Sequence, residues 1–417
     1  MNVSAFLRLS FASLLIINFS SAICQDFSAY EKPASLKLFS AALKDTQAVS
    51  LILPKEKKMG KLNTYPVIFL FDSQNAISYQ NNLQTINTLT LLGEMPPCIV
   101  VGLALSNSKN MRSRLTLPNY RGTTGLADNY LSFLIDEVFP LLQQQYQAAN
   151  FKLFIGHSRT AIFSLYALSK RSRDINGIIA SSASYFDFGQ SVEREMFLQS
   201  VDTIKKLGRN VFCYFSVGDS AGGDAGHYAS VKSLDSFMRK TKLPSNFQWK
   251  SFFHTGASHS LTPSLTVAPA LNEIFDKQSQ ALFIISKKPF KADTSILFNY
   301  IDKEFRDISS YYGYTVFPDF RFYNSIASYY KNSSPGTEQE RLTLALAAWT
   351  RGLQRLPYAE AYYEEIAAIY RTLKNDRLYG QYLTKAYEHV DQSIFVNDDQ
   401  KESVKKELSQ KIADLPK

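Results

Sequence analysis

The sequence is poor in cysteine and histidine and carries no block of like charge. Only three cysteines occur in 417 residues. They form no C-x-x-C pair and show no Cys/His spacing of a metal site, so cysteine-based metal chemistry is excluded. Cys98 and Cys213 lie in the apolar runs PPCIVVGLAL and NVFCYFSVGD, where buried free thiols are expected. No run of five or six Lys or Arg appears, although the formal charge is +9. A dispersed excess of this kind gives a solvated basic surface with mild attraction for anions, not a nucleic-acid footprint. Beyond the N-terminus no stretch is long and apolar enough to span a bilayer.

The N-terminus reads MNVSAFLRLSFASLLIINFSSAICQDF. Arg8 precedes an apolar run from Leu9 to Phe19, and small residues follow. This is the pattern of a secretory signal peptide over residues 1–24, with a cut after Cys24, and it implies export to the periplasm or the extracellular space. Lipid anchoring at Cys24 is the lesser alternative, because Ile23 is larger than the residue usual before a lipidated cysteine.

What is present is a large apolar fraction, 45%, with 30 Phe and 24 Tyr. That is ample for a sizeable core. From about Ser35 to Phe275, short apolar runs alternate with helical spacing. ASLKLFSA and AVSLILP look like a hairpin. YPVIFLFD, CIVVGLAL, KLFIGHS, INGIIASSASYF, VFCYFSVGD and FQWKSFFH follow, and the middle ones are nearly continuous in hydrophobic residues. Such runs suit parallel strands covered on both faces. The expected fold class is an α/β sandwich with a mostly parallel central sheet over residues 25–277. Residues 278–335 read as a helical linker region. Residues 336–417 carry short amphipathic helices, with Tyr363, Ala367, Ala368, Tyr370 and Ala386 in a pattern like a degenerate tetratricopeptide unit. Tyr362, Tyr363 and Tyr370 are expected to be core between these helices.

The stretch FKLFIGHSRTAIFSLYALSK, residues 151–170, carries the chemistry. A buried strand runs into Gly156-His157-Ser158-Arg159-Thr160, and an apolar-periodic helix starts straight after it. That is the setting of a nucleophile elbow, which lifts a serine hydroxyl above the sheet at a helix N-terminus. Gly156 suits the tight turn; a second glycine would be usual where Thr160 stands. In this architecture the order along the chain is serine, acid, histidine. Of five histidines, His259 follows the last strand and is the expected base, while His254 reads as structural or as a pocket wall. The acid is Asp224 or Asp219 in the loop GDSAGGDAGH, with Asp224 favoured because Asp219 follows the strand closely enough to cap the turn. Asp72, Gln74, His157 and His227 are candidates for the pocket wall. Arg112 and Arg114 either line a pocket for an anionic group or, as is commoner, belong to the solvated surface.

The elbow, YPVIFLFDSQN, CIVVGLALSNSKNMRSRLTLPN and SHSLTPSLTVAPALNEIF occur in one order. Together they make the first domain resemble the esterase family of the esterase D type within the α/β-hydrolases. That family includes S-formylglutathione hydrolases, feruloyl and acetylxylan esterases, siderophore esterases and mycolyltransferases. The resemblance implies a serine carboxylic-ester hydrolase working through an acyl-enzyme, with no metal or cofactor. It also implies two backbone oxyanion donors, the N–H groups of Arg159 and Ser73. Ser73 stands where the family has glycine, as does Thr160. Export and family together point to an ester of an envelope or extracellular compound, such as an acylated polysaccharide or a siderophore-like ester. Two other readings use the same residues. One is a degenerate hydrolase whose helical tail binds a protein partner; the other is an acyltransferase with the same triad.

Overall fold

The structure is a computed structural model that describes residues 28–60, 63–105, 111–120, 123–183, 192–221, 223–288, 290, 293–394, 396 and 398–415. The signal-peptide segment 1–24 lies outside the described residues. Among the described residues the strands, numbered in chain order, are β1 Ala34–Ser40, β2 Asp45–Ile52, β3 Tyr65–Phe71, β4 Ile99–Leu103, β5 Asn119–Tyr120, β6 Thr123–Thr124, β7 Ala148–His157, β8 Gly177–Ser181, β9 Val211–Val217 and β10 Phe247–Phe253. Eight of them form one sheet in the order β1-β2-β4-β3-β7-β8-β9-β10. β1 pairs antiparallel with β2, and β2 with β4; all other pairs in this sheet are parallel. The chain is therefore an α/β-hydrolase fold, as the apolar runs imply.

The central strands are buried on both faces because their alternate residues enter two different cores. In β3, Val67, Phe69 and Phe71 join one core while Ile68 and Leu70 join the other. In β7, Phe154 faces the first core, and Leu153 and Ile155 the second. The helices that follow β3, β4 and β7 are α1 Ala76–Leu92, α2 Met111–Thr116 and α5 Arg159–Lys170. Between α2 and β7 one helical segment runs through α3 Ala127–Ser132, a π-helical turn Phe133–Val138 and α4 Phe139–Tyr146. Next come α6 Val192–Lys205, α7 Ala225–Lys240 and α8 Thr262–Ile274.

The C-terminal part is all helical: α9 Asp276–Ser286, α10 Thr294–Tyr312, α11 Phe320–Asn332, α12 Glu338–Leu353, α13 Glu360–Thr372, α14 Asp376–His389 and α15 Lys401–Ala413. It packs directly against the sheet layer. Leu297, Ile301, Tyr312, Phe320, Ile326, Trp349 and Ile366 belong to the same buried core as Ile68, Leu153 and Leu271. The segment 278–335 is itself core-forming, and the helix pair α11–α12 spans the boundary expected at 335. The cause is aromatic packing: Tyr312 meets Phe151, Phe212 and Phe275 through ring contacts, and its hydroxyl donates to Ile274 O at 2.8 Å. Backbone bonds add to this, Tyr358 N–H to Met59 O and Asn210 N–H to Tyr311 O. Glu56, only 5% exposed, accepts from Phe320 N–H and from the Asn63 amide. Burial, and then the nearby Asp319, push its carboxyl well above the ordinary value. Tyr362 is fully buried and stacks on Phe320, which makes it core as expected. Among the described residues no helix is long and apolar enough to cross a membrane.

Candidate active site

Three parallel strands end beside one another in strained residues. Asp72 follows β3 with φ 62°, Ser158 follows β7 with φ 57°, and Ser182 follows β8 with φ 50°. Non-glycine residues rarely take positive φ, and each such residue costs of order 1–3 kcal/mol. Clustering three of them at the carboxyl ends of adjacent strands marks the place where open α/β sheets bind ligands. At Ser158 the cause is the elbow. The chain reverses from β7 into α5 within one residue, with ψ −115°. Ser158 N–H is tied to Ser181 O at 2.8 Å.

Asp224 is fully buried, and His259 Nδ1 donates to its Oδ1 at 2.6 Å. Its Oδ2 accepts from Ser182 Oγ and from Gly218 N–H, both at 2.6 Å. Burial pushes the Asp224 carboxyl up, but the bonds from Ser182, Gly218 and His259 outweigh it and hold it below the ordinary value. An ionised carboxylate on Nδ1 leaves Nε2 of His259 as the free basic nitrogen. Asp219 lies elsewhere. Its exposed carboxylate accepts from Ala221 N–H at 2.8 Å and Gly256 N–H at 2.7 Å, as a turn cap. His259 O accepts from Thr262 Oγ1 at 2.8 Å and from His157 Nε2 at 2.9 Å, which fixes the proton of His157 on Nε2. His157 and His227 flank the His259 ring, with centroids at 4.4 and 4.3 Å. Burial first, then repulsion by His259, lowers His157 to about 4 and also lowers His227. His157 is therefore neutral at neutral pH.

The oxyanion side differs from expectation. Ser73 N–H is donated to Leu103 O at 3.0 Å, so it is not free for an oxyanion. The strained φ of Asp72 turns the chain so that this N–H continues the ladder toward β4. Gln74 lines the cleft instead. Its side chain donates to Asp72 Oδ1 at 2.8 Å and accepts from Leu105 N–H at 3.0 Å, which ties the turn after β3 to the end of β4. Arg159 begins α5, so its N–H belongs to the first-turn donors that no helical carbonyl satisfies.

Arg112 is part of the site and not of the solvated surface. Its guanidinium grips both oxygens of Asp72 at 2.7 Å and reaches His157 O at 3.2 Å; Arg114 is exposed. Thr160 completes the clamp. Its hydroxyl donates to Asp72 Oδ2 at 2.7 Å and accepts from His157 N–H at 2.9 Å. Burial raises the Asp72 carboxyl, yet Arg112, Thr160 and Gln74 together hold it below the usual range. The residue in place of a glycine thus ties the elbow to the turn after β3. Thr160→Val keeps the shape and removes the hydroxyl. It should cost about 1–2 kcal/mol in a denaturant titration, since the His157 N–H loses its partner while Asp72 keeps Arg112 and Gln74.

A cleft of about 260 Å³ opens above these strand ends. Ser158, His259, Asp72, Gln74 and His157 line it; His227 stands behind His259 and does not. Asp224, His227 and His259 bring donor atoms within 4.8 Å of one another, the spacing of a metal-binding group. However, His259 Nδ1 already engages Asp224, and the rings of His227 and His259 are stacked at 18°. Their in-plane lone pairs then run side by side and do not converge on one ion. His254 bonds Thr266 Oγ1 at 3.0 Å and is structural. Cys98 and Cys213 are buried free thiols.

Fold and site together define an α/β-hydrolase with a serine elbow and a His–Asp couple. The sequence matches the family described as "Putative esterase" over residues 40–263. The chain belongs to this family, whose members are carboxylic ester hydrolases. No functionally curated protein matches the sequence significantly. Solved structures share the fold, two of which follow. An uncharacterised protein from Capnocytophaga ochracea is 16% identical with a TM-score of 0.54, covering 91% of this chain and 100% of its own. An IroE-like serine hydrolase from Shewanella oneidensis is 17% identical with a TM-score of 0.56, covering 76% of this chain and 98% of its own. The first coverage extends well beyond the esterase region into the helices.

Proposed function

We propose that this esterase is an exported serine hydrolase that works through an acyl-enzyme. Ser158 Oγ attacks the ester carbonyl carbon while its proton passes to His259 Nε2. Asp224 holds the imidazole through Nδ1 and stabilises the imidazolium. The backbone N–H groups of Arg159 and Gln74 receive the oxyanion. His259 then protonates the departing alcohol oxygen as the tetrahedral intermediate collapses. Water repeats the sequence on the acyl-enzyme, releasing the acid and restoring Ser158. The observation that carries this reading is the 2.6 Å bond between His259 Nδ1 and buried Asp224, beside the strained Ser158 in one cleft. Export rests on Arg8 and the apolar run Leu9–Phe19. An exported esterase of this family suits an ester on an envelope or extracellular compound, an acylated polysaccharide or a siderophore-like ester.

The test is hydrolysis of p-nitrophenyl acetate and butyrate by the mature chain, with a fluorophosphonate label located by mass spectrometry. The label is expected on Ser158. Turnover should fall at least about 10³-fold in Ser158→Ala. A folded wild-type protein that takes no label would sink the reading.

A further inference from the structure

One part of the cleft wall is polar where its burial would favour an apolar side chain. It comes from α1, whose residues Ser78, Asn82 and Ile86 stand four apart on one face. Ile86 is core, 1% exposed. Asn82, one turn nearer the cleft, is only 6% exposed, yet its Oδ1 has no hydrogen-bond partner among the described residues. Asn82 and Ser78 both line the cleft. A second buried polar atom on the same cleft, Ser181 Oγ, also has no such partner. Buried amide groups are costly when unpaired and are normally satisfied. Phe71, Ile155, Pro263 and Val267 add apolar side chains to the lining, and Asp72, Gln74, Asn75 and Arg112 add polar ones; the carboxylate, guanidinium and amide of Asp72, Arg112 and Gln74 already bond one another.

We infer that Ser78 and Asn82 form a hydroxyl-recognition subsite, so that the preferred substrate carries a hydroxyl group close to the scissile ester. The inference rests on the serine-esterase reading for which bond is cleaved, but not for what the subsite binds. An amide presents one acceptor and one NH₂ donor group side by side. A hydroxyl is the small neutral group that can donate to the first and accept from the second. Ser78 adds a further donor and acceptor one turn away. At about 260 Å³ the cleft takes a short polar group, and a long alkyl chain would have to cross this wall. A site built to hydrogen-bond a hydroxyl discriminates against the analogue that lacks it, because the buried amide is then left unpaired.

Two matched pairs of esters separate the sides of the bond. On the acyl side, p-nitrophenyl 3-hydroxybutyrate is compared with p-nitrophenyl butyrate. On the alcohol side, 2-hydroxyethyl acetate is compared with ethyl acetate. The wild-type kcat/KM is expected to favour the hydroxylated member of one pair by on the order of tenfold. Asn82→Leu should bring that ratio close to one, each variant being judged by its own ratio. Should Asn82→Leu fail to fold by circular dichroism, Asn82→Ala and the half-buried Ser78→Ala are read in the same way, with a smaller fall for Ser78. The same pairs are titrated against Ser158→Ala protein by ligand-observed NMR, which reads binding without turnover. Tighter binding of the hydroxylated ester there, lost on adding Asn82→Leu, supports the subsite even if no ester is cleaved and Ser158 takes no label. Equal wild-type preference within both pairs, or a preference that survives in folded Asn82→Leu, would overturn it and leave water as the partner of Asn82.

Discussion

Asp224→Asn should lower kcat for p-nitrophenyl butyrate by on the order of 10³-fold or more, with little change in the far-ultraviolet circular dichroism. The amide is close in shape to the carboxylate and can still accept from Ser182 Oγ and Gly218 N–H through its oxygen. Its NH₂ group then faces His259 Nδ1, which must become an acceptor. The ring proton moves to Nε2, the nitrogen needed as the base. Asp219→Asn makes the opposite case. Its side chain holds two backbone N–H groups at the surface and lies away from His259, so activity should stay within about threefold and stability within about 1 kcal/mol. Side-by-side kinetics on the two variants decide between the acids; equal losses would contradict the geometry. The same bonds set an acid limit on stability. The folded-state pKa of Asp224 is depressed, so its stabilising contribution is complete above about pH 3.9 and is lost as pH falls through the lower folded value.

Gly156→Ala should be the most damaging single-methyl change in the sheet. A Cβ at residue 156 would lie 2.5 Å from both C and O of Thr160 and 2.8 Å from Ala161 N. All three are backbone atoms at the start of α5 and cannot swing aside. To admit the methyl, the helix must move away from β7. That movement breaks the Thr160–Asp72 bond and displaces the Arg159 N–H from the cleft. We expect a loss of about 2–4 kcal/mol in urea unfolding and no fluorophosphonate labelling of Ser158. Gly226→Ala is the control. It lies within α7 with nothing inside 4 Å of the new Cβ, and it should be neutral or stabilise by up to about 1 kcal/mol. If Gly156→Ala kept wild-type stability and labelling, the close contact between elbow and helix would not be what fixes the serine.

The strands were legible because parallel strands covered on both faces need uninterrupted apolar runs, and those runs stand in the sequence. The helix α11 was not marked out as an element of its own within the helical stretch 278–335. Its sequence FRFYNSIASYYKN is rich in aromatic residues of middling helix propensity and follows a proline-containing turn. It is held by the Asp319 cap at Phe322 N–H and by packing against α12, neither of which leaves a local signature beyond one aspartate. The terminal helix α15 was likewise not singled out within 336–417, since it buries little besides Leu408.

Residue type and order along the chain were enough to mark the α/β-hydrolase fold, the esterase family, the elbow at Ser158 and the short set of acids and histidines that could serve it. The fold and the elbow follow from local periodicity and from a topology that delivers strand ends in a set order; the family follows from four stretches that resemble its members in one order. Four things waited on the folded chain, because each depends on where a backbone group points or on contacts between distant residues. Asp224 meets His259 across 35 positions while Asp219 caps its own turn. The Ser73 N–H goes to β4, which shifts the proposed oxyanion donor to Gln74. Arg112 reaches Asp72 across 40 positions and leaves the surface for the site. The helical region shares its core with the sheet, since its aromatic faces find their cover on Phe151, Phe212 and Phe275 and not on one another alone.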